Sequence, residues 1–278
     1  MNLVNYRGCV FYEDHGNLVE MVLTGNDLPV ELELLKEMGI TAISLNRFFC
    51  GDRINELDFL KEVPDVKVVH ICDNDLFEYD GLYGLPNLEE LSIGGGKAID
   101  YSRFHSLKKL ITSQSGPFLF PDSLESLSIW HTRLRAKGFS SLNFPESLKR
   151  LYIYWSDIAD LKGLPTGLEV LEIARCRSLI SLCGLENSEE TVKRLVVENC
   201  PHLRDYGALY SCESMEYMIL AECKEIESIS FVRNMKGLRH FTFRGTTVLD
   251  GDLQYIAEVP YVFFKDNKNY NRKMADFR

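Results

Sequence analysis

One short line of residues recurs through most of this chain and limits what the chain can fold into. Counted from its first residue, the line has apolar residues at positions 1, 4 and 6, a small Cys, Ser or Thr at position 9, and another apolar residue at position 11 or 12. Five successive copies occupy residues 124–134, 148–158, 168–179, 192–203 and 215–226. The alternation within positions 3 to 7 predicts a short strand with one buried face in every copy.

Weaker copies extend the array in both directions. Starts are recognisable at Val66, Leu88, Leu107, Leu124, Leu148, Leu168, Val192, Met215 and Leu238, and a degenerate first copy begins near Ile40. From Val66 onward, successive starts are 17 to 24 residues apart. We therefore predict about ten repeats over residues 40–264 and a polar C-terminal tail over residues 265–278. The shortest spacing contains Gly116-Pro117, where we expect an irregular repeat.

Residues 1–39 do not fit the repeat and predict a different structure. Two β-rich stretches lie on either side of His15-Gly16-Asn17, which predicts a hairpin with its turn there. A helix should follow, with Asp27 as its N-cap, Pro29 in its first turn and Gly39 at its end. A hairpin followed by a helix suits an N-terminal cap, because the first repeat would otherwise expose its apolar edge.

On the lines quoted above, the chain resembles the leucine-rich repeat family over about residues 40–264. Three copies with Cys at position 9 resemble the cysteine-containing variety, and the short, irregular repeats resemble cytosolic members from bacteria. The resemblance implies an α/β fold, namely a right-handed solenoid with a parallel β-sheet on its concave face and 3₁₀ or short helical segments on its convex side. It also implies a protein-interaction module that docks partners on the sheet. It assigns no functional residue.

Charge and composition narrow the class of partner and the compartment. The formal charge of −10 argues against binding a nucleic-acid backbone and is compatible with a basic protein partner. The first residues contain no apolar core of signal-peptide length, and no apolar run is long enough for a membrane span. The eight cysteines are too dispersed for a secreted disulfide framework. We expect a cytoplasmic protein that does not act at a membrane.

The residues predict no cofactor and no metal. A small polar residue at position 9 is expected to hydrogen-bond the backbone where the chain leaves the strand. Cys176, Cys200 and Cys223 fill this position in adjacent repeats, and they are more than twenty residues apart, whereas zinc sites usually contain closely spaced cysteine pairs. A catalytic reading can be built only around Cys72, with Asp73 beside it and His70 nearby, and no defined spacing supports it.

The outward positions 3, 5, 7 and 8 of the strands carry the candidate binding residues. Trp130 and Trp155 both fall there in neighbouring repeats, with Tyr152, Tyr154 and His131 between or beside them. Adjacent strands lie about 4.8 Å apart, so these rings should form one aromatic patch. Charged residues at outward positions surround it, namely Arg150, Glu172, Arg175, Arg194 and Glu198. Aromatic residues and arginine are enriched at binding hot spots. In the alternative interpretation, the rings only pack across the sheet.

These observations predict a non-catalytic module that binds a protein partner through its concave face. A narrower hypothesis is an immunity-type protein that neutralises a cognate toxin or effector, with an acidic surface that meets a basic enzyme. Two other classes stay open. One is a scaffolding subunit that self-associates through the aromatic patch, and the other is an enzyme with a site near Cys72.

Overall fold

The computed structural model describes residues 1–51, 53–72, 78–95, 99–114, 118–133 and 138–277. The chain divides into two compact units, Met1–Glu125 and Ser126–Arg278. Asp73, Gly116 and Pro117, which the sequence singled out, lie outside the described residues.

The first unit begins with antiparallel strands and one helix. β1 (Asn2–Tyr6) pairs with β2 (Cys9–Asp14), and β2 pairs with β3 (Asn17–Leu23) across a turn in which His15 and Gly16 both have positive φ. α1 spans Leu28–Met38; the Asp27 side chain caps its N-terminus and Gly39, in the left-handed conformation, ends it. The hairpin and the helix boundaries are therefore confirmed. β1 was not predicted, because its sequence, NLVNY, does not alternate between apolar and polar residues.

The remaining strands of the first unit are parallel and follow the repeat. They are β4 (Ala42–Asn46), β5 (Val68–Cys72), β6 (Glu90–Ile93) and β7 (Lys109–Thr112), and they pair in chain order after β3. A four-residue helix, α2 (Arg47–Cys50), follows β4. The return segments contain 3₁₀ turns at Asp58–Glu62, Tyr79–Gly84 and Tyr101–Arg103.

The second unit repeats the same architecture with greater regularity. Its main strands are β8 (Ser126–Trp130), β9 (Arg150–Tyr154), β10 (Val170–Ala174), β11 (Arg194–Glu198) and β12 (Tyr217–Ala221). Beyond a short strand β13 (Lys224–Ile226), the sheet continues with β14 (His240–Thr242) and, after β15 (Thr246–Val248), with β16 (Tyr261–Phe263). All neighbouring pairs are parallel and in register, and β13 and β15 form a separate parallel pair.

The 3₁₀ turns of the second unit lie between its strands or after the last one. They span Phe139–Ser141, Leu185–Ser188, Gly207–Tyr210, Ser230–Asn234, Gln254–Ile256 and Met274–Phe277. Each main strand begins at position 3 of its sequence line, and the apolar residues at positions 1, 4 and 6 of the five copies are at most 1 % exposed. The parallel sheet and the 3₁₀ return segments predicted from the repeat are confirmed.

Position 9 forms a buried row beneath the ends of the strands. Its members in the second unit are Thr132, Ser156, Cys176, Cys200, Cys223 and Thr246. The hydroxyl of Ser156 donates to the carbonyl oxygen of Tyr154 at 3.0 Å, and the thiol of Cys223 donates to that of Ala221 at 3.3 Å. The predicted hydrogen bonds from position 9 to the backbone are therefore confirmed.

Candidate functional site

Trp130, Tyr154 and Trp155 meet at the C-terminal ends of β8 and β9. Trp130 and Tyr154 are directly opposite each other in the parallel register, with ring centroids 4.7 Å apart. The Trp155 ring lies 5.2 Å from the Trp130 ring with 25° between their planes. The indole nitrogen of Trp130 donates to the Ser128 hydroxyl at 2.8 Å, so this half-buried ring is fixed at both its face and its edge.

The next residue in each of the five clearest copies, position 8, has a left-handed backbone. The φ values at this position are 55° for His131, 48° for Trp155, 58° for Arg175, 52° for Asn199 and 53° for Glu222. Each N–H donates to a backbone carbonyl oxygen of the following repeat, at 3.0 Å from Trp155 to Ala174 and 2.9 Å from Arg175 to Glu198. Non-glycine residues pay an energetic penalty of about 1–2 kcal/mol in this conformation. The fold therefore holds large side chains at positions where Gly or Asn would cost less.

The left-handed turn places His131, Trp155 and Arg175 in one stacked row. The His131 and Trp155 rings are 5.6 Å apart with 22° between their planes, and the Cζ atom of Arg175 lies 5.0 Å from the Trp155 ring centroid. Trp155 remains 42% exposed. We call His131, Trp155 and Arg175, together with Trp130 and Tyr154, the Trp155 stack. An arginine over an indole is an attractive cation–π pair.

A chain of polar contacts connects the Trp155 stack to the neighbouring strands. The Tyr154 hydroxyl donates to Oε2 of Glu172 at 3.3 Å, and Nε of Arg194 donates to Oε1 of the same carboxylate at 3.0 Å. Burial, together with the nearby Glu172 carboxylate, raises the pKa of Tyr154 to about 12. Tyr154 therefore stays a neutral hydrogen-bond donor under physiological conditions.

A second row of stacked groups begins at Arg194 and was not identified from the sequence. The Cζ atom of Arg194 lies 4.0 Å from the Tyr217 ring centroid. The His240 ring follows at 4.2 Å from Tyr217, and the Tyr261 ring at 4.4 Å from His240. Burial and the charge of Arg194 lower the pKa of His240, so its ring is neutral. All four residues occupy position 3 of their repeats, which the sequence shows once the strands are placed in register.

An open cavity of about 590 Å³ lies beside Trp155, at the edge where the strands end. The stack contributes His131, Trp155 and Arg175 to its lining. The other lining residues are Ser156, Asp157, Arg177, Ser178, Asn199, Pro201 and Glu222. Oδ1 of Asp157 is buried and accepts no hydrogen bond within the described parts of the chain. The cavity therefore contains an aromatic wall and ionisable groups of both signs.

The structure distributes the ten residues selected from the sequence over one face of the second unit. Trp130, His131, Tyr154, Trp155 and Arg175 form the Trp155 stack, and Glu172 and Arg194 join it through Tyr154. The remaining three, Arg150, Tyr152 and Glu198, belong to β9 and β11, and Glu198 contributes its backbone carbonyl oxygen, which accepts the N–H of Arg175 at 2.9 Å. Sequence reasoning missed Arg177 of the cavity, because position 10 was not counted among the outward positions. It also left out Glu222, which is at position 8, because the selection followed the aromatic patch two repeats away.

The cysteines of position 9 are buried thiols. Burial raises the pKa of Cys176 to about 11 and that of Cys223 to about 12, and it also raises the pKa of Cys200. A thiolate is the form that ligates metals or attacks substrates, and these thiols stay protonated at neutral pH. Over the ranges that the structure describes, no group of three His, Cys, Asp or Glu residues is arranged to hold a metal ion.

His70, in the first unit, has a geometry that does not suit a catalytic base for Cys72. Its Nδ1 lies 3.2 Å from the Glu20 carboxylate and its Nε2 lies 3.3 Å from that of Glu90. Hydrogen bonds to these two carboxylates raise the pKa of His70 to about 9. Both ring nitrogens therefore carry protons at neutral pH, and the ring has no lone pair with which to accept a proton from the exposed Cys72.

The repeated line of sequence coincides with one structural unit in each of the five clearest copies. Each line supplies one parallel strand, a left-handed residue at position 8 in five successive copies, and a buried hydrogen-bonding residue at position 9. The chain contains leucine-rich repeats.

Three of the known proteins that are similar to this chain come from a plant and a bacterium. A probable disease resistance protein of Arabidopsis thaliana is 23% identical over 209 residues, which are 74% of this chain and 10% of the plant protein. The chain thus spans one tenth of the length of that relative. Among solved structures, an internalin (inlF) of Listeria monocytogenes is 20% identical with a TM-score of 0.45, and covers 69% of this chain and 54% of its own. Internalin C2 of the same species is 18% identical with a TM-score of 0.41, covering 67% and 75%. No protein-family model matches the chain.

Among the described residues, there is no helix with the length and apolar character that crossing a bilayer requires.

Proposed function

We propose that this chain is a non-catalytic binding module that engages a protein partner through the Trp155 stack and the sheet face around it. Leucine-rich repeats generally serve protein–protein interaction, because stacked repeats present an extended surface whose outward residues are free of duties in the core. The observation that carries the proposal is Trp155 itself. It is 42% exposed, it has a left-handed φ of 48°, and the buried positions of its repeat are filled by aliphatic side chains.

The contacts around Trp155 favour a binding hot spot over the alternative that the rings only pack on each other. Trp130 and Arg175 contact its ring and hold it in one orientation, so a partner would lose little side-chain entropy on binding it. Trp, Tyr and Arg are the residues most enriched at the energetic centres of interfaces. Exposed aromatic surface with charged residues around it is typical of an interaction site.

The proposal is tested by capturing partners with a Trp155→Ala variant beside the wild-type chain. Extract from the cells that make this protein supplies the partners, and the affinity of each retained protein is then measured in purified form. The expected loss is about 2 kcal/mol or more, roughly thirtyfold in Kd, as for a hot-spot truncation. Leu249→Ala is a matched control, because Leu249 is an exposed apolar residue of the same unit away from the stack.

Equal binding by the Trp155→Ala and wild-type chains would show that the rings only pack on each other. Retention of a second copy of this chain, with a dimer that dissociates on the Trp155→Ala change, would instead establish the scaffolding alternative. Both variants must unfold at temperatures close to that of the wild type for the comparison to concern binding.

The formal charge of −10 supports a narrower form of the proposal, in which the partner is a basic toxin or effector and the chain neutralises it. Its test is an activity assay of the captured partner. Inhibition by the wild-type chain and not by the Trp155→Ala variant is expected. Full partner activity in the saturated complex would contradict neutralisation while leaving the binding role intact.

A further inference from the structure

The edge at which the strands of the second unit end concentrates cations in an acidic chain. Positions 8 and 10 of the five clearest repeats carry four basic residues, Arg133, Arg175, Arg177 and Lys224, and two acidic ones, Asp157 and Glu222. Within the described ranges, none of the four has a carboxylate in ion-pair contact. On the sheet face nearby, by contrast, Arg194 is paired with Glu172 at 3.0 Å. The cations at the strand ends are therefore free to meet an anion from outside.

The geometry of Arg175 prepares it for such a contact. Its Cζ atom lies over the Trp155 ring, 5.0 Å from the ring centroid, and the five N–H donors of a guanidinium group lie in the plane of the group. Stacking restricts a long side chain before any ligand arrives, which lowers the entropic cost of binding. Arg177, two residues further along, lines the same cavity of about 590 Å³. Two unpaired guanidinium groups thus open onto one space.

We propose that the cavity beside Trp155 is a subsite for an acidic side chain of the protein partner, whose carboxylate is bound by Arg175 and Arg177. The inference rests on the proposed binding function and names the chemistry of one anchor within it. A planar guanidinium matches a carboxylate with two parallel hydrogen bonds. Asp157 and Glu222 line the same cavity and repel every additional negative charge, so a singly charged carboxylate fits better than a phosphate dianion.

The net charge of the whole chain does not oppose this assignment. At physiological ionic strength, charges more than about 8 Å apart in solvent are largely screened. A carboxylate in the cavity therefore interacts mainly with the groups that line it. A basic partner with one acidic anchor residue would complement both the negative net charge of this chain and the positive charge of the two arginines in the cavity.

Small blocked amino acids test the subsite directly. The probe is N-acetyl-glutamic acid methylamide, compared at constant ionic strength with the corresponding glutamine and lysine derivatives and with inorganic phosphate. Trp130 and Trp155 are the two tryptophans of the chain, so its tryptophan fluorescence reports the Trp155 stack alone. A saturable fluorescence change with the glutamic acid derivative, and a weaker one or none with the other three, is the expected result.

Variants assign the effect to the two arginines. Arg177→Ala should raise the dissociation constant of the glutamic acid derivative about tenfold or more, because one charged partner is lost while the stack itself is untouched. Arg175→Lys keeps the charge and loses the planar fork, and should also weaken binding. Arg204→Ala, at an exposed arginine of the same unit, is the matched control and should bind as the wild type does.

Three outcomes would overturn the subsite: equal responses to the glutamic acid and glutamine derivatives, preferential binding of the lysine derivative or of phosphate, or full binding by both arginine variants. Failure here is distinguishable from failure of the binding function. A partner that requires Trp155 but binds equally well to the Arg175→Lys and Arg177→Ala variants removes only the acidic anchor. A chain with no partner that depends on Trp155 removes the binding function.

Discussion

At the scale of single residues, position 8 shows most clearly that the backbone conformation of the fold and the side chains displayed on the surface favour different residue types. Gly245 and Asn199 occupy it in two repeats and are the residue types that tolerate a left-handed backbone best. His131, Trp155, Arg175 and Glu222 occupy it in the other four of these repeats and bear a conformational cost. A side chain kept at a costly position is held there by its surroundings and is often functional. The stacking contacts of His131 and Arg175 with Trp155 provide that hold.

This conflict leads to a prediction about two substitutions at one site. Trp155→Gly should give a protein more stable than Trp155→Ala by about 1 kcal/mol, because only glycine adopts a φ of 48° without strain. Both changes delete the ring and should weaken partner binding equally. Urea unfolding curves measure the difference in the free energy of unfolding. A more stable alanine variant would show that position 8 relaxes to another backbone conformation once the ring is absent.

At the scale of elements, parallel strands bring together charges that are distant in the sequence. Glu20 in β3 reaches His70 in β5 across β4, where Ala42 and Ser44 are small enough to leave room. His70 then contacts Glu90 in β6, whose carboxylate also accepts a hydrogen bond from Lys109 in β7 at 2.6 Å. Hydrogen bonding to His70 lowers the pKa of Glu90 to about 2. The network connects four of the strands of the first unit.

The network predicts how stability depends on pH. The pKa of His70 is about 9 in the folded protein and 6.5 in its ordinary state, so protonation favours folding. Its contribution is fully present below pH 6.5 and is lost as the pH rises through about 9. The free energy of unfolding should therefore fall more steeply over this window in the wild type than in His70→Gln. A His202→Gln control, at an exposed histidine, should keep the wild-type slope. Parallel slopes for wild type and His70→Gln would contradict the network.

At the scale of the whole molecule, the C-terminal residues, which the sequence predicted to be a polar tail that either closes the array or frays, pack against the last repeats. The Tyr270 ring packs 5.8 Å from Phe264 and 6.3 Å from Phe243, and its hydroxyl accepts a hydrogen bond from the N–H of Val248 at 3.0 Å. Asn271 donates its N–H to the carbonyl oxygen of Gly251 at 3.0 Å. These contacts cover the apolar side chains of Phe243 and Phe264.

Removal of this cover should destabilise the end of the array. Tyr270→Ala is expected to cost about 3–5 kcal/mol, as for other buried aromatic truncations, and Tyr270→Phe about 1 kcal/mol for the lost hydrogen bond. Lys268→Ala, at an exposed neighbour, should have little effect. Hydrogen exchange should quicken first in β16 and β14, because each repeat is stabilised mainly by its neighbours. Uniform exchange across the second unit in Tyr270→Ala would show that its repeats unfold as one cooperative block.

The sequence by itself determined the repeat, the main strand of each clear repeat, the position-9 row and the N-terminal hairpin and helix, because each depends on periodicity or on local capping and turn chemistry. It also indicated that Trp130, Tyr154 and Trp155 belong to neighbouring strands. Only the tertiary structure decided that position 8 turns into the left-handed region, which stacks Arg175 on Trp155 and opens a cavity beside Arg177. The reason is physical. A line of sequence fixes which face of a strand is buried, whereas the direction of an outward side chain depends on how adjacent repeats are hydrogen-bonded and packed.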